Sequence, residues 1–418
     1  ELTTEMQRLT GVENPNSVYQ LLDWLESRGY KPDSLGKTQV KELIKTAKEP
    51  VKSVLEMRLQ LSKSSVKKYT AMKQTACRDN RARGMFSFYG ASRTGRWAGR
   101  NIQLQNLPQN HLEDLTEARE LVKTGSFDDV QMIYDDVPDT LSQLIRTAFI
   151  PRQGMKFIVA DFSAIEARVI AWLADEQWVL DAFANNKDLY CETASRMFGV
   201  PVEKHGINGE LRQKGKQCTL SCSYGGAKGA LIAMGAIDSG MKEDELQPLV
   251  IAWREANPNI VRFWHSLEQC AMKCIKEKTV TKTNRLTFSY EAGFLFIELP
   301  SGRRLAYAKP RIGENKFGGE SITYMGINAQ KKWDRLETFG GKIAENVCQA
   351  VARDLLMYSM QTLSHCFIVA TVHDEIIIEA SKDMSLDVVC QQMARTPKWA
   401  EGLILRADGY ECEYYKKD

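Results

Sequence analysis

The chain has 418 residues, 43% hydrophobic and 26% charged, with a formal net charge of +3. That length accommodates two or three structural units at about 100–200 residues each, and the composition excludes wholesale disorder. No run approaches the roughly 20 apolar residues of a membrane helix, and no basic-then-apolar leader opens the chain.

The chain starts at Glu1 rather than Met, so its natural start is expected to have been removed. None of its ten cysteines forms a CxxC pair. Cys218/Cys222 and Cys270/Cys274 lie four apart, which stacks side chains on one helix face, and they read as buried thiols of a reducing, cytoplasmic protein. The small net charge conceals a strong asymmetry. Residues 52–100 carry twelve Lys and Arg against Glu56 and Asp79, whereas residues 112–144 carry nine Asp and Glu against Arg119 and Lys123. The first segment is the footprint of a polyanion-binding surface or a solvated charged helix.

Residues 14–75 read as helical: Val18, Leu21, Leu22 and Leu25 recur at helical spacing, Gly29 supplies a stop, and Val51–Tyr69 forms a second amphipathic run. Residues 80–110 mix Gly, Arg and aromatics without a long period and read as short strands and loops. The acidic 112–144 segment reads as a surface excursion with a helix around Leu115–Val122. A buried strand, Phe157–Ala160, ends at Asp161 and leads into a helix with Ile165, Val169, Trp172 and Leu173 on one face. Residues 187–270 are mostly helical, broken at Gly225-Gly226 and Pro258. Residues 279–325 suggest short strands, 341–363 a helix, and 367–372 and 376–379 two strands flanking His373-Asp374-Glu375. The whole is α+β.

Asp161 and Asp374 both sit at strand ends, and in one sheet their carboxylates would converge. Paired carboxylates need bridging cations, and oxygen ligands favour magnesium; two turn-capping aspartates account for the same residues. Arg212, Lys216, Leu220 and Tyr224 recur every fourth residue on one predicted helix, a stripe about 18 Å long that suits a nucleoside triphosphate or an ordinary basic helix face. Ser163-Ala164-Ile165-Glu166 matches an S-x-x-E capping box, so Glu166 has a structural role open to it as well as a functional one.

Four segments then resemble the polymerase region of family A DNA polymerases, in particular the bacteriophage branch. They are Arg93-Thr94-Gly95-Arg96 with Leu104-Gln105-Asn106-Leu107-Pro108, Asp161-Phe162-Ser163-Ala164-Ile165-Glu166-Ala167-Arg168 (motif A), Arg212-x3-Lys216-x7-Tyr224-Gly225 (motif B), and Val372-His373-Asp374-Glu375 (motif C). The resemblance implies a right-hand fold: a thumb at 1–80, a first palm part at 81–186 with an acidic insertion at about 109–144, fingers at 187–290, and a second palm part at 291–418. It implies template-directed addition of dNTPs to a primer 3′-hydroxyl, by a soluble monomer in the cytoplasm of a phage host. Two Mg2+ ions would be held by Asp161, Asp374 and the Phe162 carbonyl, with Lys216 as proton donor to pyrophosphate. Arg212, Lys216, Leu220, Tyr224, Glu166 and Tyr190 would form the nucleotide site, with Glu166 excluding ribonucleotides. Arg96, Gln105, Asn106, Arg168, Gln349, His373 and Glu375 would lie against primer-template DNA.

Three positions depart from the family pattern. Leu220 stands where Phe or Tyr is frequent, Tyr190 where many members have His, and Glu345 where Asn often precedes the glutamine. With the thumb starting almost at Glu1, the chain is expected to carry no proofreading exonuclease. A two-metal nuclease would need the two aspartates but not the triphosphate stripe. An RNA polymerase would not carry Glu166, and a non-catalytic DNA-binding module would not need both acids.

Overall fold

The computed structural model describes residues 2–61, 67–315 and 318–417. The chain divides into two compact units, each assembled from separate stretches: residues 1–86, 99–153 and 412–418 form one, and 87–98 with 154–411 form the other.

The first unit is helical. Helices Leu2–Thr10, Val18–Ser27, Lys37–Thr46 and Val51–Leu61 bury Met6, Leu21, Trp24, Leu25, Val40, Val51, Val54 and Leu55 in one cluster. Ser17 caps the second of these by accepting from the Gln20 N–H, which satisfies one of the donors a helix start leaves unpaired. Helix Val51–Leu61 covers the start of the expected 51–69 run and helix Lys67–Thr75 begins at its end; residues 62–66 lie outside the described residues. The acidic segment forms three helices, Leu115–Lys123, Phe127–Tyr134 and Val137–Leu144, closed over Leu115, Ala118 and Leu144. Residues 412–417 dock back onto this unit. Tyr415 is buried, and its hydroxyl accepts from Arg146 Nη1 at 3.0 Å while the ring faces the guanidinium.

The second unit is built on two antiparallel sheets. In the four-stranded sheet, Met155–Phe162 lies between Glu375–Ser381 and Ala407–Cys412, with Ile368–Val372 at the edge beyond Glu375–Ser381. Phe157, Ile158, Val159 and Ala160 are all buried, which is why this strand reads as a continuous apolar run rather than an alternating one. Helix Ile165–Ala174 and the 23-residue helix Gly340–Thr362 pack against each other in the same unit. The six-stranded sheet is a meander of Thr281–Thr283, Leu286–Glu291, Phe294–Glu298, Arg304–Glu314, Glu320–Ile327 and Trp333–Thr338. Between the sheets in sequence come helices Leu189–Phe198, Leu211–Cys222, Lys228–Ala233, Leu246–Ala256 and Pro258–Glu277. The helical region is broken at Pro258 as expected: one helix ends at Ala256, and Pro258 starts the longest helix of the region, where its missing N–H is harmless. No helix among the described residues is long and apolar enough to cross a membrane.

Candidate active site

The two aspartates meet because of strand register. Glu375 pairs with Asp161, and Val372 pairs with Glu375 across a turn made by His373 and Asp374. The Phe162 N–H donates to the Asp374 carbonyl at 3.4 Å, so the two acids occupy neighbouring strand ends. His373 takes φ +57° in this turn, a left-handed conformation that His adopts more readily than bulkier residues.

Arg96 lies against this acidic corner. Its Nη2 donates to Glu166 Oε1 at 2.9 Å and to both Asp374 oxygens at 3.2 and 3.4 Å. Its Nε is buried without a hydrogen-bond partner among the described residues, an unspent donor of the kind that buried sites rarely leave without a purpose. Burial pushes the Asp374 carboxyl above the usual range; Arg96 opposes the shift and Glu166 adds to it. Three acids (Asp161, Asp374 and Glu166) and one guanidinium leave this corner with an excess of negative charge.

Glu166 is not part of a capping box. The helix it enters has Ala164 at its N-cap, in the left-handed conformation and with no side-chain cap. Ser163 instead uses its backbone, donating N–H to the Arg406 carbonyl and accepting from Arg168 Nε. The Glu166 carboxylate is thereby directed to Arg96 on one oxygen and to the Tyr224 hydroxyl, 2.9 Å away, on the other. Tyr224 lies past the end of the helix expected to carry it, because that helix stops at Cys222 and Gly225 turns the chain at φ +80°. The Tyr224 backbone is pressed onto helix Gly340–Thr362: a Cβ on Gly341 would come within 2.2 Å of the Tyr224 carbonyl. Cys348 is fully buried on the same helix, and burial pushes its thiol well up.

A second cluster forms at the other end of helix Leu211–Cys222. Arg212 Nε and Nη2 donate to Asp188 Oδ2 at 3.0 and 2.8 Å, and the guanidinium faces the Tyr190 ring at 5.3 Å. Asp188 also caps helix Leu189–Phe198 by accepting from the Tyr190 and Cys191 N–H groups. Burial raises the Asp188 pKa, but Arg212 and the two backbone donors outweigh it and leave the carboxyl below its ordinary value. The sequence reading assigned Asp188 no role; its signal was an Asp directly before a helical run. Between the two clusters, Lys216 makes no ion pair among the described residues, and Leu220 is exposed.

Two residues expected against DNA are turned inward instead. Arg168 is 4% exposed, donates to the Ser163 and Ile404 carbonyls and stacks on Phe183 at 4.0 Å. Desolvation lowers its pKa to about 10, with Arg406 adding to the shift. Glu375 is 2% exposed within the sheet. Both are buried within the scaffold. His373 is exposed at its turn, and Gln349 lies partly buried on helix Gly340–Thr362, donating to Glu345 Oε1 at 3.5 Å. Gln105 and Asn106 belong to the first compact unit, on the 3-10 turn Leu104–Asn106, where Gln105 Oε1 is buried without a partner among the described residues.

A family model described as DNA polymerase family A matches residues 1–401. The DNA polymerase of Bacillus phage SP02 is 51% identical over 423 residues, an alignment covering 100% of this chain and 65% of that protein. The thermostable DNA polymerase I of Thermus aquaticus is 27% identical over 251 residues, covering 58% of this chain and 25% of that one. Among solved structures, the polymerase domain of Pol1 from M. smegmatis, in complex with DNA primer-template and dNTP, matches with a TM-score of 0.63 at 18% identity, over 99% of this chain and 63% of that one. The last is a likeness of fold. The chain thus spans just under two thirds of the phage relative's length. With the family model running through nearly all of the chain and half of its residues shared with the phage enzyme, the chain belongs to DNA polymerase family A.

Proposed function

We propose that the chain is a template-directed DNA polymerase that extends a primer 3′-hydroxyl with dNTPs in phage DNA replication, in the cytoplasm of the host cell. The observation that carries this reading is the convergence of Asp161 and Asp374 beside the Arg96–Glu166–Tyr224 network. We further assign residues 1–80 to the thumb, 81–186 and 291–418 to the palm and 187–290 to the fingers.

The donor set suits magnesium. No group of three His, Cys, Asp or Glu side chains among the described residues is placed to hold a metal alone. Magnesium characteristically takes one or two carboxylates, with substrate phosphates and water completing its shell. Asp161, Asp374 and the Phe162 carbonyl would hold two such ions, which would acidify the primer hydroxyl and neutralise charge on the transferred phosphate.

The chain's own residues supply the rest. Arg212 offers a planar fork and Lys216 a mobile ammonium to the triphosphate, and Lys216 protonates the departing pyrophosphate. Glu166, held by Arg96 and Tyr224, fills the space of a 2′-hydroxyl. Arg96, with its unspent Nε donor, suits a minor-groove acceptor at the primer terminus.

The test is extension of a primed template by the purified chain in magnesium, with dNTPs and NTPs compared. Template-matched dNTP addition that stops with a chelator is expected. Strand cleavage without addition would instead identify a nuclease, and preferential NTP use an RNA polymerase. The chain itself is expected not to excise a mismatched 3′ nucleotide.

A further inference from the structure

Three segments of the second unit meet in a charged cluster to which the polymerase reading assigns no part. They are loop 87–98, which carries Arg96, the turn 299–303 between strands Phe294–Glu298 and Arg304–Glu314, and helix Gly340–Thr362. At the centre lie Arg353 and Asp354, 6% and 8% exposed. Asp354 Oδ2 accepts from the Ser301 hydroxyl at 2.6 Å, and Oδ1 accepts from Arg303 Nε at 2.7 Å and Arg353 Nη1 at 3.3 Å. Arg303 also donates to the Ala350 carbonyl at 2.9 Å and the Tyr89 hydroxyl at 3.2 Å. Burying such charges adds little net stability, because desolvation offsets their attraction. The cluster is better explained by what it holds.

It holds the peptide group that begins Arg96. Arg353 Nε donates to the Gly95 carbonyl at 3.0 Å, and the guanidinium lies over the Phe88 and Trp97 rings at 5.0 and 4.8 Å. The N–H of the same peptide group belongs to Arg96 and donates to Thr94 Oγ1 at 3.4 Å. The Arg96 carbonyl in turn accepts from the Ala91 N–H at 3.0 Å. Gly95 takes φ +79°, and a Cβ there would come within 2.6 Å of the Tyr89 ring and 2.7 Å of Arg303 Nη1, so the loop is seated on the cluster with no room for a side chain. From this fixed backbone Arg96 reaches Glu166 and Asp374.

We infer that Arg353, anchored by Asp354 and Arg303, is a positioning residue: by fixing the Gly95–Arg96 peptide it sets where the Arg96 guanidinium stands in the catalytic corner. A lysine in its place keeps the charge but loses the planar fork that serves Gly95, Asp354 and two rings together. The inference rests on the polymerase reading for the use made of Arg96.

The test is single-turnover primer extension by the full chain, with thermal melts alongside. Arg353→Lys should lower the maximal rate by about 10- to 100-fold, the cost of a small misplacement at the reacting centre. KM for dNTP should change little, because Glu166 keeps its bond to Tyr224. Asp354→Asn should act in the same direction but less, since Arg353 keeps its bond to Gly95. In an Arg96→Ala background, where no guanidinium remains to be placed, Arg353→Lys should change the rate by no more than about twofold. A second readout needs no activity. With isotope-labelled arginine, the Arg96 Nε–H resonance, assigned by its absence from Arg96→Ala, should shift or broaden in Arg353→Lys. An unchanged rate, an equal loss in both backgrounds, a fall in melting temperature alone, or an unaltered Arg96 resonance would each overturn the inference. If Arg353→Lys does not fold, Asp354→Asn carries the same comparisons. Failure of the wild type to extend a primer would fault the polymerase reading, and the Arg96 resonance would still decide whether Arg353 holds it.

Discussion

Replacing Glu166 by alanine should change sugar selection, and the structure sets the scale of its other effects. The substitution removes the acceptor of the Tyr224 hydroxyl at 2.9 Å and one of the Arg96 contacts, also at 2.9 Å. A shielded donor left without its partner costs about 1–3 kcal/mol. Because the Glu166 side chain is 34% exposed, its ion pair with Arg96 adds less than about 1 kcal/mol. A total of about 1–4 kcal/mol overlaps the loss of a helix cap, about 0.5–2 kcal/mol, so stability alone does not separate the two roles. A double-mutant cycle with Tyr224→Phe does. The hydrogen bond predicts a coupling of about 1 kcal/mol, and a cap predicts none. The functional assay is the ratio of kcat/KM for dNTP and NTP on one primed template. Glu166→Ala should shift it toward NTP by at least about tenfold, equivalent to 1.4 kcal/mol of lost rejection. Tyr224→Phe should shift it the same way by no more than about fivefold, the equivalent of the coupling. An unchanged ratio in a folded, active Glu166→Ala protein, with no coupling to Tyr224, would refute the reasoning.

On the proposed two-metal reading, Asp161→Ala and Asp374→Ala should each abolish nucleotide addition while DNA affinity stays within about threefold, since each would remove a shared metal ligand worth several kcal/mol in the transition state; a gel-based extension assay beside a binding titration checks both. Asp188→Ala should lose about 0.5–2 kcal/mol of stability with its cap, and it should alter KM for dNTP by releasing Arg212. Because the folded Asp188 pKa lies below its ordinary 3.8, its contribution is full above about pH 4 and disappears as pH falls through the folded value. Thermal melts of the wild type and Asp188→Ala should therefore converge in acid. Arg168→Ala should destabilise by about 2–4 kcal/mol by removing a buried guanidinium and leaving the Ser163 and Ile404 carbonyls without their donor. Its DNA affinity should be unaltered where the protein is folded.

Much of the catalytic corner was legible because it depends on backbone register. The apolar run before Asp161 and the paired runs around His373-Asp374-Glu375 become adjacent strands, and strand pairing alone then brings the acids together. The sequence left Glu166 between a capping box and a functional role because a sequence match cannot report that Ala164 takes a left-handed conformation. Tyr224 kept the spacing of the Arg212 stripe, but Gly225 ended the helix first. Arg168 illustrates a different limit: motif membership gives a position in the chain, while the direction of a side chain is set by what packs around it, here Phe183 and two carbonyls. Strand Trp333–Thr338 escaped notice because, as an edge strand, it buries little and alternates charge with apolar residues too weakly to announce itself.

The return of residues 412–417 to the first compact unit bears on how the protein is made. Arg146 leaves the ribosome long before Tyr415, the ring and hydroxyl that cover it. At about 5–20 residues per second, the intervening residues 154–411 take roughly 13–50 s to emerge. Throughout that interval the basic and acidic helices exist without their last strap, a nascent half-domain with an open seam next to a growing chain. Contacts closed over such separations form late. The seam around Arg146 is therefore where stalled synthesis would expose this protein to proteases and chaperones.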